Sequence, residues 1–254
     1  MSTPGIDRLA EQLREQTTAF AAAVHGREPD APVPTCPQWR LRDLVGHIGQ
    51  AHRWAAGIVV NGAPDGVPDP READPGAPPE WTGWLLDGAA QLVDAVRGAP
   101  PGATVWTYLG PRGADFWLRH MVNDTCVHHA DAALAAGTAF RVGPEVAADA
   151  ITEVLELLSA PDAAALKPAL TELRGRVGTL QLSPRGTPLP GWLITLTPRG
   201  VSWERGTAAA DAVVAGEAQD LLLLFTRRLR VGDSAVTITG DRALVEHWLA
   251  HTAL

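Results

Sequence analysis

The stretch "RHMVNDTCVHHADAAL" brings His120, Asp124, His128 and Asp131 into one helix-forming segment, and "DLVGHIGQ" carries His47 much earlier in the chain. At 100° per residue the four later residues, with Trp117, fall along a single helical stripe beside the apolar Phe116 and Val127. That stripe should face the interior of a bundle. A helix rises about 1.5 Å per residue, so His120 and His128 lie about 12 Å apart and cannot both hold one small ion with Asp124. At most two of the three can share a metal, and the set has to be completed from another helix. His47, at the margin of its own helix's apolar stripe, is the best candidate. Two imidazoles and one carboxylate from two helices, with coordination positions left open, form the pattern of a catalytic site for zinc or a similar divalent ion. D-x-x-x-H is a short pattern, however, and the same residues also fit an ordinary helix-surface pair and a hydrogen-bonded core histidine.

The elements that would position these groups can be read from periodicity. "IDRLAEQLREQTTAFAAAV" has Ile6, Leu9, Leu13, Phe20 and Val24 at helical spacing. The Pro-rich "PDAPVPTCPQW" ends that helix, because proline lacks the amide donor and fixes its own backbone angle. "RLRDLVGHIGQAHRWAAGIVV" resumes the helical period on Leu41, Leu44, Val45 and Ile48, and residues 61–80, dense in proline, glycine and acid, read as a long surface loop. "WTGWLLDGAAQLVDAVRG" and "ADFWLRHMVNDTCVHHADAALAAG" give two more helices, the second closed by Gly137. Four helices with modest connections suggest an up-and-down bundle. A fifth helix, residues 144–159, should cap the bundle or lead out of it.

Beyond "APDAAALKPAL" the pattern changes to short β-branched runs punctuated by Gly and Pro. "GTLQLSP", "GWLITLTPRGVSWERG" and "DAVVAGE" read as antiparallel strands, with "TPRG" as a hairpin turn. A helix at "AQDLLLLFTRRL", a strand at "SAVTITG" and a terminal helix at "DRALVEHWLAHT", N-capped by Asp241, complete the unit. The expected fold class is therefore two-domain α+β: a four-helix bundle over residues 1–160 and a small α+β domain over 161–254.

Composition narrows the function classes. A 254-residue chain that is 46% hydrophobic can bury a real core, and no apolar run approaches the roughly 20 residues that a membrane span needs. The charged start argues against a signal peptide, and a cytoplasmic location is expected. A formal charge of −8 argues against nucleic-acid binding, since the only basic cluster is "RRLR" at 227–230. Two cysteines, Cys36 and Cys126, do not make a disulfide framework; both are expected to be reduced, Cys126 as a small buried hydrophobe. Trp39, Trp54, Trp81, Trp84, Trp106 and Trp117 are expected to fill volume in the bundle and not to form an aromatic cage.

The order "CPQWRLRDLVGHIGQAHRWAA", "RHMVNDTCVHHADAALAAG", "GDRALVEHWLAHT" resembles the mycothiol-dependent maleylpyruvate isomerase family. The resemblance implies a DinB-like four-helix bundle joined to a sterol-carrier-like α+β domain. It also implies divalent-metal ligands at His47, Asp124 and His128, matching the family's L-x-x-H and E-x-x-x-H-R-x-D-A motifs. Two positions depart: the family's Glu is Asp124 here, and the Arg after the ligand His is His129. Asp131 matches the family's Asp and could orient an imidazole, although an exposed helix charge explains it equally well. Arg228, near an Arg found in many relatives, could meet a carboxylate or a polar thiol cofactor by bidentate hydrogen bonds, with a surface Arg at a helix end as the plainer account. His52 and Arg53 are candidates for a pocket mouth that receives the cofactor, with a solvated face as the plainer account. His120 is assigned to the core or to a supporting role, and His129 should face elsewhere.

Two neutral imidazoles, one carboxylate and a dication leave a net charge of +1, which favours an anion such as a thiolate in the open position. The expected function is metal-dependent chemistry with mycothiol or a similar small thiol, either thiol transfer to a small electrophile or isomerisation of a cis double bond, with a cleft between the domains selecting the substrate. The alternatives are a catalytically inactive binding protein on the same scaffold and a metal-dependent hydrolase. A monomer or homodimer and an actinobacterial origin complete the expectations.

Overall fold

The computed structural model describes residues 4–252 except 65, 162, 233 and 234. In the first unit, α1 (Ile6–Val24) buries Leu9, Leu13 and Phe20, and the extended segment after it returns the chain to α2 (Leu41–Asn61). The Asp43 carboxylate accepts from the Arg40 backbone N–H at 2.8 Å, which satisfies a donor at the helix start. Gly62 ends α2 at φ 83°, a left-handed conformation that a Cβ would strain. After two 3₁₀ turns come α3 (Trp81–Gly98), a two-stranded ribbon of β1 (Thr104–Val105) and β2 (Arg112–Gly113), and α4 (Asp115–Ala136). Gly137 closes α4 as the sequence indicates, at φ 65°.

The helix directions differ from a simple up-and-down arrangement. Asp7 of α1 pairs with Arg97 at the end of α3, so those two helices run antiparallel. His47 faces Asp124 while Trp54 packs on Trp117, so α2 and α4 are antiparallel as well. Gly49 abuts Trp84 and Arg53 abuts Gly88, which makes α2 and α3 parallel. The order is up-down-down-up. The long connection between Gly62 and Glu80 permits it: 19 extended residues span up to roughly 60 Å, against the roughly 30 Å length of α2 that the chain must retrace.

Phe20, Leu44, Val45, Ile48, Trp81 and Leu85 form one fully or nearly fully buried cluster in this bundle. Each such side chain contributes about 1.5–3 kcal/mol by leaving water. Helix α4 is buried on most of its circumference, from Trp117 to Ala133. Packing of α2 on α3 depends on Gly49: a Cβ there would overlap the indole of Trp84, whose face already carries the Arg53 guanidinium at 4.4 Å. Gly49→Ala is expected to destabilise the protein by about 1–3 kcal/mol through overpacking, read as a lower urea midpoint at unchanged m-value.

The second unit begins at Val142, not near 161. Helix α5 (Pro144–Leu158) belongs to it because its inner face meets the second unit's own sheet, with Trp192 Nε1 donating to Thr152 Oγ1 at 3.2 Å. After the short α6 (Ala163–Leu166) and a 3₁₀ segment come β3 (Gly178–Arg185), β4 (Trp192–Thr197), β5 (Gly200–Arg205) and β6 (Ala212–Glu217), followed by α7 (Ala218–Phe225), β7 (Thr237–Gly240) and α8 (Arg242–His251). The sheet order is β5-β4-β3-β6-β7. All neighbours are antiparallel except β3 and β6, which pair in parallel, so the expectation of an antiparallel set fails for "DAVVAGE". The chain between β5 and β6 returns across the sheet instead of turning back tightly. Strand β4 alternates as a half-buried strand must, with Trp192, Ile194 and Leu196 inward. Asp241 caps α8, its carboxylate accepting from the Leu244 N–H at 3.0 Å.

Candidate metal centre

His47 comes from the first half of α2, and Asp124 and His128 come from adjacent turns of α4. One ligand atom from each lies within 4.8 Å of the others. His47 Nε2 is 3.7 Å from Asp124 Oδ2, and His128 Nε2 is 3.6 Å from Asp124 Oδ1. Both distances exceed the 2.7–3.2 Å of an N–H···O hydrogen bond, so the carboxylate is not simply bonded to either ring. They approach the separation of neighbouring ligand atoms around a tetrahedral ion with bonds of about 2.0–2.1 Å, which is about 3.3 Å. The side chains of His47 and Asp124 are each 24% exposed and that of His128 is 12% exposed, so the donors can be reached from solvent.

Protonation favours the same reading. Burial, reinforced by the His128 imidazole, lowers the His47 pKa to about 4, leaving its ring neutral with a free lone pair at pH 7. For Asp124 burial pushes the pKa upward, but His128, His47, His120 and His52 together outweigh it and hold the carboxyl below its ordinary value. The donor set offers an anionic Asp124 carboxylate and a neutral His47 nitrogen, with His128 Nε2 beside them. It fits a divalent cation.

Asp131 is fully buried, which removes the exposed-charge account. Its Oδ2 lies 2.8 Å from His128 Nδ1, so the ring donates there and is turned with Nε2 toward Asp124. The Thr35 hydroxyl donates to the other oxygen of Asp131, and the Cys36 thiol sits 3.9 Å from Oδ2. Trp39 stands against both rings, 4.9 Å from His47 and 5.7 Å from His128 between centroids. Thr35, Cys36 and Trp39 all lie in the proline-rich segment, which has no periodicity to mark their direction, and sequence reasoning assigned them no part in the site. Asp131→Asn removes the anionic acceptor while nearly preserving shape. It is expected to weaken metal affinity by about 10–100-fold, measured by competition with a chelator.

Several other expectations are corrected. His52 does not line a mouth: it is fully buried, and its Nε2 is 2.8 Å from Thr125 Oγ1. Arg53 is not a free rim cation either, since it donates to the carbonyls of Gly49 and Trp84, both at 2.8 Å, and clamps α2 to α3. His120 stands among aromatic rings, with Tyr108 at 5.6 Å and Trp117 at 5.5 Å. His129 turns to α1, with Nδ1 3.4 Å from Gln16 Oε1, and so faces away from the triad as expected. Cys126 is buried and its thiol is pushed up to about 12 by burial, as befits a packing residue. Arg228 lies in the second unit, its guanidinium donating to the Thr226 carbonyl at 2.7 Å.

Side chains from facing helices converging inside a bundle define a helical scaffold with a candidate metal site, here followed by a separate α+β unit. Residues 10–133 match the mycothiol maleylpyruvate isomerase N-terminal domain, and the first unit belongs to that domain family. The crystal structure of the mycothiol-dependent maleylpyruvate isomerase aligns with 94% of this chain and 96% of its own, at 15% identity and a TM-score of 0.60. A histidine-to-alanine mutant of that enzyme aligns over the same shares, at 14% identity and a TM-score of 0.60. At these identities the likeness speaks for the fold. No curated protein sequence matches the chain. Among the described residues no helix is long and apolar enough to cross a membrane.

Proposed function

We propose that His47, Asp124 and His128 hold a divalent cation, zinc in the simplest case, and that the protein is a cytoplasmic enzyme using mycothiol or a similar small thiol on a small electrophile. The observation that carries this reading is the spacing of the three donor atoms, too long for hydrogen bonds and close to the separation of ligands around one ion. When bound, such a cation stabilises a thiolate at neutral pH.

The chain's own residues do the rest. Asp131 accepts from His128 Nδ1 and orients the ring so that Nε2 faces the position of the ion. Of the three donors Asp124 is the carboxylate and the neutral His47 ring adds no charge, while the Asp131 carboxylate stands behind His128 and not among the donors. The donors alone therefore leave a dication with positive charge on its open side, which favours an anionic sulfur there. Trp39 packs against both rings and helps to hold them in place. Arg228 is proposed to recognise a carboxylate or polar group of the thiol or its partner. The products are those of thiol transfer or of cis–trans isomerisation by reversible thiol addition.

The test is turnover of maleylpyruvate and of a chlorinated aromatic electrophile by protein of known metal content, with and without mycothiol. Thiol-dependent turnover that tracks metal content supports the proposal. Turnover without any thiol would replace it with a hydrolase, and metal-saturated protein inert toward every thiol and acceptor would replace it with a binding protein.

A further inference from the structure

Trp54 of α2, Trp106 and Tyr108 of the loop joining β1 to β2, and Phe116, Trp117 and His120 of α4 gather at one place in the first unit. The chain has one tyrosine and nine tryptophans, so its only tyrosine and a third of its tryptophans meet here. Trp117 is fully buried behind the others, 5.1 Å from Trp54, 5.3 Å from Tyr108 and 5.5 Å from His120 between ring centroids. The outer rings are not. Trp106 is 36% exposed although it lies nearly parallel to Trp117, and Trp54, Tyr108, Phe116 and His120 are half-buried. The rings enclose no cage, because their contacts with one another fill the interior; they form a shelf with ring surface turned outward.

The shelf is held in shape before any ligand arrives. Trp117 Nε1 donates to the Trp106 carbonyl at 2.8 Å and Trp54 Nε1 to the Gly66 carbonyl at 2.5 Å, while the Trp106 backbone N–H donates to the Gly62 carbonyl at 2.9 Å and ties the loop to the end of α2. With their donors spent inside the protein, Trp54 and Trp117 offer ring carbon and no polar handle. Packing accounts for Trp117 but not for the outer rings, since smaller side chains would cover it and leave less apolar surface in water. The shelf also continues from the metal centre. Trp117, His120, Asp124 and His128 share one stripe of α4, and His120 precedes Asp124 by one turn, a rise of about 6 Å. Its ring is 5.6 Å from Tyr108 and lies nearly parallel to Phe116 at 6.0 Å, so it joins the shelf to the ligands.

We propose that this shelf is the acceptor subsite of the thiol chemistry proposed above, on which it rests, and that it selects a flat aromatic electrophile, stacked on Trp106 and Tyr108 with its reacting carbon directed past His120 toward the metal centre. A planar ring makes the offset-stacked and edge-to-face contacts that a saturated molecule of the same size lacks. With an aryl chloride the sulfur bonds to the ring carbon, the carbon–chlorine bond breaks, and chloride and the thiol proton pass to solvent.

Binding is read on the metal-free full chain, by quenching of tryptophan emission with 2,4-dinitroaniline, a flat ring without the chloride that a thiol displaces. Saturable quenching is expected. Trp106→Leu should weaken the affinity about 3- to 10-fold and Trp106→Phe should largely retain it. Both variants keep an apolar side chain over Trp117, so a merely structural role would treat them alike. Turnover with mycothiol and saturating zinc gives the second readout: Trp106→Leu should lower the ratio of kcat/KM for 1-chloro-2,4-dinitrobenzene to that for maleylpyruvate about 3- to 10-fold, through KM for the aromatic acceptor. Absence of saturable quenching, or equal affinity in wild type and Trp106→Leu, overturns the shelf whatever the turnover. Saturable binding that Trp106→Leu weakens, with no thiol-dependent turnover of either acceptor, upholds the shelf as a ring-binding surface and overturns the thiol chemistry instead.

Discussion

Replacing His128 with Ala is expected to lower affinity for zinc by more than about 100-fold and to remove thiol-dependent turnover with it. His128 is the residue on which both halves of the site depend: its Nε2 faces Asp124 and its Nδ1 is engaged by the buried Asp131. Removing the ring deletes a donor atom and leaves the Asp131 carboxylate without one of its partners. The measurement is a chelator competition titration on folded protein, alongside turnover at saturating metal. His128→Gln serves as a second variant, since an amide can still donate to Asp131 and keep the fold while being a poor donor to zinc. Full turnover in either variant at unchanged metal content would remove the triad from the mechanism.

Acid is expected to unfold the metal-free protein steeply between pH 6.5 and about 4. His47, His52 and His129 each have a pKa lowered to about 4, in every case chiefly by burial. In the unfolded chain each takes up a proton near pH 6.5, while in the folded chain each stays neutral until about pH 4. The unfolded state therefore binds more protons throughout that interval, so stability is complete above pH 6.5 and is lost as pH falls. For the fully buried His52 the loss is on the order of 3 kcal/mol at the bottom of the window. Urea midpoints at a series of pH values read the slope, and His52→Gln should flatten it. An unchanged slope in that variant would mean that His52 takes up its proton without unfolding the chain.

Much of this architecture was legible from pattern. The helices around Leu44, Leu85 and Val154, the strand alternation at Trp192, Ile194 and Leu196, and the caps at Gly137 and Asp241 follow from local propensity and period. Periodicity says which face is buried but not against what. Nothing local in α5 distinguishes packing on the bundle from packing on the sheet, and nothing local in "DAVVAGE" says that its partner runs parallel. The helix order was missed for a similar reason, because the length of the 62–80 connection permits a return along the bundle without requiring it.

The candidate site divides in the same way. The sequence points to His47, Asp124 and His128 because helical spacing places two of them together, the margin of a second apolar stripe offers His47, and the family resemblance names the same three. Spacing could not say whether Asp131 is exposed or buried, and this decides whether it can orient His128. His52 was misplaced because a polar residue on a helix is ordinarily solvated; here Thr125, on a helix remote in sequence, gives it a buried partner. Thr35 and Trp39 escaped notice because proline-rich sequence carries no period from which direction can be inferred.

Because the donors come from α2 and α4, with the whole of α3 threaded between them in the chain, the ion-sized gap exists only after the last helix of the first unit has docked. A cation captured there acts as a reversible clasp between segments some 77 residues apart, from His47 to Asp124. Free ion at a thousand times its dissociation constant would add about 4 kcal/mol to the folded state. Metal supply would then govern how long the protein persists as well as how fast it turns over.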